Sequence, residues 1–134
     1  MRIATWNINS IRTRVDQTVE WSLANEADVV LLQETKCGDA DFPFDAFTDA
    51  GYEVAHHGVD HWNGVAVVSR VGIDDVQQGF SGPQREPFTE PRVIAATCGG
   101  VRVWSVYVPN GRELGDPHYP VSYTHLTLPT RLMV

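Results

Sequence analysis

The stretch Asp28-Val29-Val30-Leu31-Leu32-Gln33-Glu34 constrains this chain more than any other. Four consecutive apolar residues stop abruptly at two polar ones, and so short an apolar run predicts a strand covered on both faces. Upstream, Ile3, Thr5 and Trp6 predict a strand ending near Asn7. Between the two, Ile11, Val15, Val19 and Leu23 recur every four positions. That period predicts one face of a helix running from Ile11 to about Asn25, with Ser10 as its N-cap. Strand, helix and strand in this order predict a βαβ-like unit, in which functional groups gather at the carboxyl ends of the strands. Asn7 and Glu34 stand at those ends.

Further along, Phe44 to Ala50 reads as a short helix, and Tyr52 to His57 as a strand. Trp62-Asn63-Gly64 supplies a turn before a strand at residues 65–68. Residues 72–90 are rich in Gly, Pro, Asp and Gln and predict a single edge strand around Val76. Strands from Val93 to Thr97 and from Val101 to Val108 are joined by Gly99-Gly100. From about Val121 the βα pattern stops. Val121, Tyr123, Leu126 and Leu128 fit no helical face, and Pro129 would interrupt any helix reaching it. Residues 121–134 resemble the translated tails found on gene fragments, and we expect a partial domain over 1–120 followed by a non-native tail.

Composition narrows the function. Hydrophobic residues make up 43% and charged residues 20% of the 134 positions, the balance of a globular domain and not of a disordered or fibrous chain. No apolar stretch reaches membrane-spanning length, and the start lacks a signal peptide's pattern, so a monomeric, cytoplasmic protein without a membrane partner is expected. Cys37 and Cys98 are too few for a disulfide framework and lack zinc-site spacing, which leaves two structural thiols. A net charge of −7 excludes a general polyanion binder, so any contact with nucleic acid must be local.

Among side chains that carry chemistry, Glu34 stands first. A carboxylate just past a buried strand is rigidly held, and hard oxygen donors bind Mg²⁺; the alternative is a solvated residue or a helix cap. Asn7 can coordinate a metal or orient a carboxylate, or simply cap a turn. Tyr107 can direct a phenol at a phosphate, or pack in the core. Arg92 and Arg112 can grip phosphate through their guanidinium groups, or form surface ion pairs. His56, His57 and His61 are read as non-ligands, because neighbours on a strand point to opposite faces.

Five blocks appear in order: residues 3–12 (IATWNINSIR), 32–36 (LQETK), 63–66 (NGVA), 90–94 (EPRVI) and 106–111 (VYVPNG). Together they resemble the exonuclease III / AP endonuclease family of the endonuclease/exonuclease/phosphatase superfamily, over residues 1 to about 119. The resemblance implies an α/β fold, here the incomplete N-terminal half of a four-layered α/β sandwich with two packed β-sheets flanked by helices. It implies Mg²⁺ or Mn²⁺ as cofactor and double-stranded DNA with abasic or 3′-end lesions as substrate. By the same likeness Glu34 would be the metal ligand and Asn7 would lie in the metal and phosphate network. Tyr107 would contact the scissile phosphate, while Lys36, Arg92, Asn110 and Arg112 would serve the DNA side. The implied function is a DNA repair nuclease that hydrolyses phosphodiesters at abasic sites and 3′ ends. An inositol phosphate or lipid phosphodiesterase of the same superfamily, or a non-catalytic fragment, is the alternative. The family's Gly-Asp-Phe-Asn and terminal Ser-Asp-His blocks are absent, so the 134 residues themselves are expected to be inactive. Pro91 stands where the family usually has Gly.

Overall fold

The computed structural model describes residues 1–79 and 91–108. The expected tail at 121–134, along with Asn110 and Arg112, lies outside them. The described residues form two packed sheets. One is four-stranded, with β1 (Ile3–Asn7), β2 (Val29–Gln33), β3 (Glu53–His57) and β4 (Val65–Ser69) in the spatial order β1-β2-β4-β3. The other is three-stranded, with β5 (Asp74–Gln78), β6 (Val93–Cys98) and β7 (Val101–Val106) in chain order. β1 and β2 pair in parallel, as the βαβ pattern requires, and every other pairing is antiparallel.

The run Val29–Leu32 is apolar throughout because it feeds two cores. Val29 and Leu31 pack with Val65, Val67, Ile94, Ala96 and Cys98 between the sheets. Val30 and Leu32 pack on the other face with Ala66, Val68, Ile11, Phe47 and Tyr52, under the helices α1 (Val15–Ala24) and α2 (Phe44–Asp49). Alternate residues of a strand face opposite ways, so a strand between two apolar layers has no polar positions to spare. The described residues thus show helices on one sheet and a second sheet on its other face.

The sandwich is also pinned by polar groups at one end. Gln33, the last residue of β2, is buried and donates from Nε2 to Leu31 O, Thr5 Oγ1 and Ser105 Oγ at 3.0–3.1 Å. Ser105 in turn donates across the sheets to Leu32 O at 2.7 Å. The hairpin joining β6 to β7 turns through Gly99 and Gly100 at φ +55° and +82°, the two left-handed positions that a two-residue turn demands.

The first helix departs from expectation. It begins at Val15, not Ile11, and Ser10 is not its cap: Ser10 holds φ +88°, residues 11–14 form a turn, and Arg14 occupies the cap position with no side-chain bond to the helix's first N–H groups. The buried stripe also differs, since Leu23 is 46% exposed while Thr18 and Ser22 are fully buried. Their hydroxyls can be buried because each donates to the carbonyl four residues back, Thr18 to Arg14 O and Ser22 to Thr18 O, both at 2.7 Å. Ile11 is buried as expected, but in the turn before the helix. No helix among the described residues is long and apolar enough to cross a membrane.

Candidate active site

The described residues of all five blocks are joined by main-chain hydrogen bonds at one end of the sandwich. Ile8 donates to Gln33 O, Ser10 to Glu34 O and Ile11 to Thr35 O, at 2.8–3.1 Å, which ties the segment after β1 to the segment after β2. Thr35 and Lys36 then donate to Gly64 O and Asn63 O, at 3.2 and 2.8 Å. Gly64 donates to Pro91 O at 3.1 Å, and Tyr107 donates to Arg92 O at 2.8 Å. Pro91 lacks an N–H, but the contact with Gly64 uses its carbonyl, so the proline ring does not prevent it.

The backbone is bent sharply at this end. Glu34, Lys36 and Asn63 hold φ between +55° and +57°, a region that non-glycine residues rarely enter, that costs about 1–3 kcal/mol each and that persists only where the surroundings enforce it. Gly64, at φ +93°, has no alternative: a Cβ there would collide with Thr35 Oγ1. Close approach of the turn at 63–64 to the 34–36 segment therefore requires glycine.

Glu34 and Asn7 come together as expected. Asn7 pairs in register with Gln33, so Glu34 is one residue past its neighbour on the adjacent strand. Asn7 is exposed and Glu34 half-buried, and neither side chain makes a hydrogen bond or ion pair among the described residues. Two oxygen-donor side chains with no partner among the described residues, at the end of a strand pair, fit a small hard cation that retains several waters and takes one or two carboxylates. They are a partial set, for among the described residues no three His, Cys, Asp or Glu side chains group to hold a metal ion.

Cations flank this corner. Lys36 Nζ donates to Asn9 Oδ1 at 2.6 Å, and Arg14 donates to Asn9 O at 2.7 Å. Arg12 is exposed and close enough to Cys37 to pull its thiol down, although burial wins and raises it to about 11. Arg92 is only 8% exposed, so whatever it offers a ligand comes from a buried guanidinium at the start of β6. Tyr107 lies just past β7, half-buried and packed against the inter-sheet core. The two cysteines are free and buried, as expected.

Three residues at this end had no role in the sequence reading. Gln33 had a signal, being the first polar residue after the apolar run. His56 and Asp39 had none. His56 Nε2 lies 2.7 Å from Thr35 Oγ1, and its Nδ1 lies 2.7 Å from Asp39 Oδ1, which also accepts the Gly58 N–H at 2.9 Å. In the order of their contacts, Thr35, His56 and Asp39 look like a nucleophilic triad. They cannot act as one, because Thr35 is fully buried and its hydroxyl is walled off by Gly64.

A two-sheet sandwich with its sequence blocks joined at one end, carrying an open carboxylate and amide among cations, defines an α/β protein with a polar site at the strand termini. The chain belongs to the Endonuclease/Exonuclease/phosphatase family, whose sequence model matches residues 4–132. It is 31% identical over 117 residues to exodeoxyribonuclease III of Haemophilus influenzae, covering 84% of this chain and 43% of that protein. Among solved structures it resembles an AP endonuclease from Archaeoglobus fulgidus, with a TM-score of 0.82 and 36% identity over 92% of this chain and 48% of that one. It also resembles the 3′ phosphatase NExo from Neisseria bound to a product DNA hairpin, with a TM-score of 0.85 and 36% identity over 98% of this chain and 51% of that one. The chain spans about half the length of these relatives.

Proposed function

We propose that this chain supplies the metal-binding half of a cytoplasmic, monomeric DNA repair nuclease, one that hydrolyses phosphodiesters at abasic sites and 3′ ends in double-stranded DNA. The observation that carries the reading is the continuous main-chain linkage of the five blocks, which places Glu34, Asn7, Lys36, Arg92 and Tyr107 at one end of the sandwich. The names of the relatives support DNA as substrate: an exodeoxyribonuclease, an AP endonuclease and a phosphatase holding product DNA.

In this reading Glu34 and Asn7 hold Mg²⁺ or Mn²⁺. The ion, when bound, offsets charge developing on the phosphoryl oxygens. Lys36 and Arg92 draw the phosphate to this corner, and the Tyr107 phenol hydrogen-bonds to it. With a net charge of −7, the rest of the surface repels the DNA backbone. Binding therefore depends on this corner together with Asn110 and Arg112, which follow Tyr107 in sequence. The groups that activate water and assist the leaving oxygen are not supplied by the blocks found here, so the 134 residues alone are inactive.

The test is a substrate panel for the protein expressed from its full reading frame: duplex DNA with one abasic site, duplex DNA with a recessed 3′ end, and an inositol phosphate. Mg²⁺-dependent cleavage of the two DNA substrates is expected. Turnover of the inositol phosphate alone would assign the site to the other branch of the family.

A further inference from the structure

The Glu34-Thr35-Lys36 segment holds two left-handed non-glycine residues on either side of a buried threonine, and something must enforce that shape. The main-chain bonds to Asn63 and Gly64 account for part of it. The rest comes from the Thr35 side chain. Its Oγ1 meets His56 Nε2 at 2.7 Å, inside a pocket where the His56 side chain is wholly shielded from solvent. Phe42 and Phe44 pack on the ring, with centroids at 4.5 and 6.5 Å. Nδ1 lies 2.7 Å from the Asp39 carboxylate, off the line of a straight N–H···O bond. The carboxylate favours the tautomer with the proton on Nδ1, which leaves Nε2 as an acceptor for the Thr35 hydroxyl.

We propose that Thr35, His56 and Asp39 form a positioning relay, anchored on β3 and the Asp39–Asp41 turn, that fixes the bent segment carrying Glu34. Its consequence for metal binding rests on the reading of Glu34 as a ligand. The relay acts as outer partners of metal ligands do, by restricting where the first ligand can point. It reaches Glu34 through the threonine's backbone and touches neither the ion nor a substrate. β3 and β2 are not neighbours in the sheet, so the relay crosses the end of β4 to couple the two.

Thr35→Val keeps the shape and removes the hydroxyl, while Thr35→Ser restores it. Two readouts on the 134-residue chain separate the claims: amide hydrogen exchange, and Mn²⁺ uptake followed by the spectrum of the free ion. In Thr35→Val the amides of Thr35 and Lys36 should exchange about tenfold faster while those of Val30 to Leu32 stay as protected as in the wild type, and Thr35→Ser should behave as wild type. Mn²⁺ affinity should fall about tenfold in Thr35→Val and be lost in Glu34→Gln. Should Thr35→Val fail to fold, His56→Asn cuts the same link from the other side while keeping an amide toward Asp39, and the same local change is expected. Unchanged exchange at Thr35 and Lys36, or a rise spread evenly over β2, would overturn the relay. Equal Mn²⁺ uptake by wild type and Glu34→Gln, at whatever level, would instead remove the metal role of Glu34, and the exchange comparison would still decide the relay.

Discussion

His56 and His57 sit where burial penalises the imidazolium, and both are pushed below the ordinary histidine value although Asp39 pulls each of them upward. A lowered value means that the folded state prefers the neutral ring. The unfolded chain then binds more protons as pH drops below about 6.5, the free-histidine range, so the contribution is complete above that value and lost as pH falls toward the folded-state values. Thermal unfolding should therefore show a lower midpoint at pH 5 than at pH 7.5, and His56→Gln should shrink that difference. An identical pH profile in the variant would show that His56 carries no part of it. None of this was legible in the sequence. Thr35, Asp39 and His56 are brought together only because β3 pairs with β4 and β4 with β2, and their spacing along the chain carries no trace of that order. The positions of Asn7 and Glu34 were legible because one closes and the other follows a strand whose residue pattern marks its own end.

The elements were read well where one residue pattern decides them. The doubly buried strand β2, the tight turn at Gly99-Gly100 and the short helix α2 each have such a pattern. The start of α1 was misread because a four-residue apolar period extends back to Ile11, while the backbone at Ser10 turns left-handed to meet Glu34 O. Its buried face was misread because Thr18 and Ser22 satisfy their hydroxyls within the helix, which no hydropathy pattern records. Between elements, the Ser105 hydroxyl bridges the two sheets and is fully buried. Ser105→Ala leaves Leu32 O and one Gln33 Nε2 contact without this partner and should cost about 1–3 kcal/mol. Urea unfolding measures this; a loss below about 0.5 kcal/mol would mean that Gln33 and Leu32 find other partners.

At the scale of the molecule, charge and architecture point the same way. A chain of net charge −7 has no generally basic surface, and it spans about half the length of its relatives; under the proposed function, DNA recognition falls to the end where the five blocks meet. That convergence was foreseeable from the order of the blocks, whereas the main-chain bonds that join them were not, being made by backbone atoms whose partners the sequence does not specify. The proposed function depends on Glu34 as the carboxylate that would hold the metal. The measurement that tests it most directly is the rate at which the protein of the full reading frame nicks abasic-site DNA at saturating Mg²⁺, wild type against Glu34→Ala, with circular dichroism confirming the same fold. Loss of a metal contribution of several kcal/mol predicts a fall on the order of 10³-fold. A Glu34→Ala rate within about twofold of wild type, a difference of under about 0.5 kcal/mol, would contradict the account.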